Sequence, residues 1–168
     1  MRTLNALIID SSDSFRQLVA ELLKAAGYSV TTAISGQEGL ELADKERFKM
    51  VCCAYDLPDM SGSDFCGQIR TTAGYDLASI IVLTPEDNSR VLKQALLAGA
   101  TDIFCKNDLD ELDIYLKRSA EREMRQLSGR VLLIEDSRVL QVIIVDLITD
   151  MGLDVDAYTN ADGAWEAF

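Results

Sequence analysis

Polar side chains that could bind phosphate or a metal ion follow several short apolar runs of this sequence. They are Asp10 with Ser11, Asp56 with Asp59, Thr84, and Lys106. Carboxylates bind Mg²⁺ or act as nucleophiles, hydroxyl groups hydrogen-bond to phosphate oxygens, and an ammonium group neutralises phosphate charge. The sequence contains no histidine, so a histidine-based acid–base step or metal site is excluded.

The most informative stretch is residues 50–62. Its first five residues, ending at Ala54, are apolar and are typical of a strand buried in a parallel sheet. A loop with Pro58, two carboxylates and Gly62 follows. In open α/β sheets ligands bind outside the carboxyl ends of the strands, so we expect the functional site near Ala54.

Five strands and five helices are predicted to alternate along the first three quarters of the chain. The apolar runs are 4–9, 29–33, 50–54, 80–83 and 101–105. Apolar residues at helical spacing follow each run, and Ser35 with Glu38 forms a capping box at the second helix. The last helix is predicted from Asp108 to Leu127. This pattern indicates an α/β fold, a flavodoxin-like doubly wound parallel sheet with strand order 2-1-3-4-5.

The pattern restarts after Gly129, where residues 131–137 repeat residues 6–12. At an offset of 125 residues, identical types pair without a gap: Leu7 with Leu132, Ile9 with Ile134, Ser12 with Ser137, Leu22 with Leu147, Gly27 with Gly152, Val30 with Val155, and Glu41 with Glu166. We therefore predict one domain over residues 1–127 and, over 128–168, the first βαβ part of a second copy. Such a fragment cannot bury its apolar faces alone. We expect either that the protein continues past Phe168 or that the fragment packs on a neighbour.

The loop after residue 54 and the polar strand ends together resemble the receiver domains of two-component response regulators, over residues 4 to about 127. The resemblance implies a phosphoacceptor aspartate four residues before Pro58, and Ala54 stands there. It implies an acidic pair that binds Mg²⁺, matched by Asp10 and by the neutral Ser11. It also implies a hydroxyl at Thr84 and a lysine at Lys106 that contact the phosphoryl group.

This first copy is therefore predicted to be degenerate, with its phosphoacceptor position vacant and its other site residues vestigial. The resemblance gives Asp56 a backbone carbonyl role at the metal, so Mg²⁺ binding by Asp10 and Asp56 should be weak or absent. Asp56 or Asp59 as a substitute acceptor is kept as an alternative. We further predict an ion pair between Asp10 and Lys106 across the pocket, and note Asn107 where the family usually has proline.

In the second copy, Glu135 and Asp136 match the acidic pair, and the acceptor would fall at position 179. A magnesium cofactor is therefore expected in a completed second receiver alone. The resemblance implies a non-enzymatic two-component regulator: a phosphorylation-independent adaptor in a tandem-receiver protein. The alternative is the regulatory half of an output enzyme, such as a diguanylate cyclase, with catalytic residues after Phe168. A flavin- or nucleotide-binding enzyme is disfavoured because neither a Gly-x-Gly-x-x-Gly nor a Walker loop is present.

Composition limits the partners. There are 16 basic and 28 acidic residues, so the net charge of −12 disfavours nucleic acid and anionic membranes. No apolar run reaches the roughly 20 residues that span a bilayer. We therefore expect a cytoplasmic protein whose partners are proteins: a histidine kinase, an output domain, or a second copy in a homodimer.

Overall fold

A five-stranded parallel sheet with helices on both faces forms the first unit, as predicted. Its strands are β1 (Leu4–Ile9), β2 (Tyr28–Ala33), β3 (Met50–Ala54), β4 (Ser79–Thr84) and β5 (Asp102–Cys105), in the order β2-β1-β3-β4-β5. Its helices are α1 (Asp13–Ala25), α2 (Gly36–Lys45), α3 (Gly62–Thr71), α4 (Ser89–Leu97) and α5 (Leu109–Met124). This computed structural model describes residues 4–85, 89–124 and 129–165. Its two compact units are Met1–Arg122 and Glu123–Phe168.

Successive strand residues supply two separate cores because side chains alternate across a sheet. In β3, Val51 and Cys53 pack into the core that α2, α3 and α4 cover. Met50 and Cys52 pack into the opposite core, against α1 and α5. All five residues of β3 are buried, so this central strand fixes the position of the loop that follows it.

The predicted end of the second helix near Phe48 is wrong, since α2 ends at Lys45. Phe48 is buried, and the chain must already be extended there to enter β3. The hydroxyl of Tyr75 donates to the Glu46 carbonyl (2.8 Å) and accepts from the Phe48 amide (3.3 Å). These bonds satisfy backbone groups that a longer helix would have paired. The predicted end of α5 at Leu127 lies outside the described residues.

The second unit contains β6 (Arg130–Ile134), α6 (Arg138–Asp150), β7 (Asp154–Tyr158) and α7 (Ala161–Trp165), with β6 and β7 paired in parallel. Both ends of α6 lie 125 residues after those of α1. The Ser137 side chain caps α6 as Ser12 caps α1. The repeat found in the sequence thus recurs in the local structure. The predicted equivalence of Glu41 and Glu166 is not covered, because Glu166 lies outside the described residues. None of the described helices is both long and apolar enough to cross a bilayer.

Candidate functional site

The carboxyl ends of four adjacent strands bring together the residues that the sequence singled out. Asp10 follows β1, Ala54 ends β3, Thr84 ends β4 and Lys106 follows β5. The ladders continue to this edge, because the Lys106 amide donates to the Thr84 carbonyl (2.7 Å) and the Tyr55 amide to the Leu83 carbonyl (2.8 Å). Residues distant in sequence therefore form one polar edge, with the methyl group of Ala54 at its centre.

Ala54 ends the central strand β3 at the middle of this edge. It is 1% exposed, and its methyl group carries no lone pair. A methyl group cannot accept a phosphoryl group, so residue 54 supplies no nucleophile to this edge.

Asp10 and Lys106 form the ion pair that the sequence predicted, at 2.5 Å between Oδ2 and Nζ. Asp10 is 2% exposed and Lys106 is 21% exposed, so the pair is largely removed from water. The other carboxylate oxygen of Asp10 accepts from the Ser12 amide at 2.8 Å. Both oxygens of the buried carboxylate are thus already engaged.

Two residues beside this pair were missed by the functional interpretation of the sequence. The Lys106 ammonium lies 4.5 Å from the centroid of the Phe15 ring, within the range of a cation–π contact. Arg16 donates to the Asp10 carbonyl oxygen at 2.6 Å. The sequence marked Phe15 as an apolar helix position. Phe15 lies one helical turn after Ser12, and this position beside the end of β1 could have indicated that its side chain is near the site.

The residues at this edge of the first unit offer a magnesium ion few side-chain ligands. Mg²⁺ prefers about six oxygen ligands, usually with carboxylates among them. Asp10 is engaged with Lys106, while Ser11 and Asp56 are exposed. Within the described ranges, no cluster of three or more acidic or cysteine side chains is placed to hold a metal.

Asp59 has a structural role that the sequence did not suggest. Its two carboxylate oxygens accept from the Gly36 amide (2.9 Å) and the Gln37 amide (2.8 Å) at the beginning of α2. These backbone donors hold the pKa of Asp59 below its ordinary value. The carboxylate therefore ties the loop after β3 to the start of α2, which disfavours Asp59 as a substitute acceptor.

The loop after β3 also folds back tightly on its own strand. The Gly62 amide donates to the Tyr55 carbonyl at 2.6 Å. A Cβ atom at residue 62 would lie 2.8 Å from the Ala54 carbonyl oxygen and 2.9 Å from the Tyr55 Cα. Both neighbours are backbone, so only glycine fits this approach.

Asn107 replaces the usual proline and makes its own contact. The side-chain amide of Asn107 donates to the Pro85 carbonyl at 3.2 Å, and the Cys105 thiol lies 3.6 Å from the same oxygen. Pro85, the residue after β4, is therefore tied to the end of β5 and to the segment that follows it by two side chains.

Glu135, the first residue of the acidic pair in the second unit, makes the same local hydrogen bonds as Asp10 in the first. Glu135 accepts from the Ser137 amide at 2.9 Å, as Asp10 accepts from the Ser12 amide. The Glu135 amide donates to the Tyr158 carbonyl at 3.0 Å. Glu135 is half-buried and Asp136 is exposed.

This fold and this arrangement of strand ends define a receiver-type signalling domain. The family model of the response regulator receiver domain matches residues 6–117, and the chain belongs to that family.

Similar proteins agree with this family. The chemotaxis response regulator CheY4 of Vibrio cholerae has a TM-score of 0.65 and 32% identity, covering 70% of this chain and 99% of that one. The transcriptional regulatory protein KdpE of Mycobacterium tuberculosis is 34% identical over 117 residues, 69% of this chain and 50% of that protein. The two-component response regulator ORR3 of Oryza sativa is 27% identical, over 61% of this chain and 79% of that protein.

Proposed function

We propose that the first unit is a receiver that works without phosphorylation, as an interaction or adaptor module of a two-component system. The observation that carries this proposal is the buried methyl group of Ala54 at the acceptor position. Phosphoryl transfer depends on positioning and charge neutralisation around a nucleophile, and here the nucleophile itself is missing.

The ion pair supports the same conclusion. In a receiver with an acyl phosphate, the lysine after the fifth strand would neutralise the phosphoryl charge. Here Lys106 is already neutralised by Asp10 at 2.5 Å. The lysine charge is therefore balanced within the site without a phosphoryl group, which supports a partner surface that does not depend on one.

The proposal includes a tandem arrangement, with the degenerate receiver over residues 1–127 and a second receiver copy starting at 128. Support comes from the offset of 125 residues that α1 and α6 share and from the matching bonds of Asp10 and Glu135. In a completed second copy, Glu135 and Asp136 would be the magnesium ligands, and an acceptor would stand at position 179.

The expected partners are a histidine kinase or an output domain, in the cytoplasm, where two-component regulators work. The net charge of −12 disfavours nucleic acid as a partner. A diguanylate cyclase or other output enzyme controlled by these units remains the alternative prediction.

The test is to incubate residues 1–168 with a small-molecule phosphodonor and Mg²⁺ and to weigh the intact protein. We expect no stoichiometric phospho-adduct. The comparison variant is Ala54→Asp, which places a carboxylate at the end of β3, between the ends of β1 and β4, and should give at least a partial adduct. A stoichiometric adduct on the unchanged protein contradicts the proposal, and its location at Asp56 or Asp59 would establish the substitute acceptor.

A further inference from the structure

Among the exposed apolar side chains of the second unit, two groups can be distinguished when each residue is compared with its equivalent in the first. Helices α1 and α6 begin and end 125 residues apart and share a serine cap. The first unit therefore shows which positions of this fold its own strands and helices cover. A residue exposed in α6 can be judged by the residue 125 positions earlier.

The first group occupies positions that the receiver fold buries. Leu132 and Ile134 are 43% and 47% exposed, whereas their equivalents Leu7 and Ile9 are fully buried by the neighbouring strands and helices. Met151 is likewise exposed, and its equivalent is buried. This group belongs to core faces and indicates no partner.

The second group occupies positions that the fold leaves in solvent. Val139, Val142 and Ile143 are 72%, 60% and 50% exposed. Their equivalents Ser14, Gln17 and Leu18 are all exposed in the first unit. The spacing i, i+3, i+4 places the three apolar residues on one face of α6. Two of them replace polar residues, so this apolar patch is not explained by the receiver core.

The charges that flank the patch are self-complementary. Arg138 lies one turn before Val142 and Asp146 one turn after it, about 6 Å away in each direction along the axis. If two α6 helices pack antiparallel and cross at Val142, each residue faces the residue of the other copy that lies equally far from Val142 in the opposite direction. Arg138 of each copy then faces Asp146 of the other, as an isologous two-fold interface requires.

We propose that this α6 face is a homodimer interface, formed by two antiparallel copies of α6 that meet at Val142. The apolar patch supplies the contact area, and the two symmetric Arg138–Asp146 pairs fix the orientation. An unrelated partner would need an apolar strip with an acidic side chain at one end and a basic side chain at the other. A second copy of α6 supplies the strip, the acidic residue and the basic residue.

The first test is sedimentation of residues 1–168 over a range of concentrations. Val139→Ser with Val142→Gln installs the residues that the first unit carries at these positions, so the fold should be retained by circular dichroism. We expect dimerisation to weaken about ten-fold or more. Leu97→Ser, at a 79% exposed position of α4, is the matched control and should change nothing. A monomeric unchanged protein, or a dimer insensitive to the double change, overturns the proposal.

The second test separates this geometry from association through the core faces. Arg138→Asp and Asp146→Arg should each weaken the dimer, and the two changes combined should restore it. A short bismaleimide should link Val142→Cys to its own copy, but not Gln17→Cys, the equivalent position in α1. Loss of dimer without rescue, or equal crosslinking at both positions, would refute the antiparallel arrangement.

Discussion

Replacing Lys106 by methionine tests whether its ion pair with Asp10 stabilises the first unit. Methionine keeps the apolar stem against Phe15 and removes the ammonium group, leaving the Asp10 carboxylate 2% exposed with only its Ser12 amide bond. Removing one partner of a fully buried pair costs about 3–5 kcal/mol. Lys106 is 21% exposed and water partly screens the pair, so we expect a loss of about 2–3 kcal/mol in the free energy of unfolding.

The free energy of unfolding is measured by urea denaturation at pH 7, with far-ultraviolet circular dichroism as the signal. Lys117→Met is the matched control: Lys117 pairs with Asp113 at 2.6 Å but is 52% exposed, so its loss should cost less than about 1 kcal/mol. Combining Lys106→Met with Asp10→Asn removes both charges and should recover much of the stability. If Lys106→Met costs no more than the Lys117 control, the pair does not stabilise the fold and the reasoning fails.

Three further predictions concern the loop and the vacant site. The Ala54→Asp variant should be phosphorylated slowly and should need high Mg²⁺. Adding Ser11→Asp should raise the Mg²⁺ affinity and the phosphorylation rate by more than the product of the two single effects. If Ser11→Asp adds nothing, residue 11 is not at the metal. Asp59→Asn should lower stability by less than about 1 kcal/mol at pH 7, because the neutral amide loses the charge-assisted bonds to the two α2 amides and water screens this exposed group. Because the folded-state pKa of Asp59 is depressed, that stabilisation is present above its ordinary value of 3.8 and lost as the pH falls through the lowered one, so thermal melts of the two proteins should converge in acid. Gly62→Ala should cost about 1–3 kcal/mol because its Cβ meets backbone, whereas Gly67→Ala, with nothing within 4 Å, should be neutral or stabilising; equal melting temperatures would contradict this.

The strand order and the residue type at the end of β3 could both be predicted from the sequence. Strand–helix alternation, short connections and the right-handed crossover rule leave few topologies for five parallel strands. The absence of a nucleophile at Ala54 is a matter of residue type, which no packing can change. The repeat at 125 residues was also visible in the sequence, because it keeps identical residue types at one fixed offset.

The hydrogen-bond partners of the polar groups could not be predicted from the sequence. Asp59 appeared in the sequence as a free carboxylate near the acceptor position, yet its oxygens bind amides 22 and 23 residues away at the start of α2. Phe15 appeared as one apolar position of a helix, and the structure adds that its partly buried ring also lies beside the Lys106 ammonium. The outward face of α6 likewise became evident when its exposure was compared with that of α1. The local residue pattern predicts which helices and strands form. Hydrogen bonds and burial depend instead on how those helices and strands approach one another, and the spacing of residues along the chain does not contain those distances.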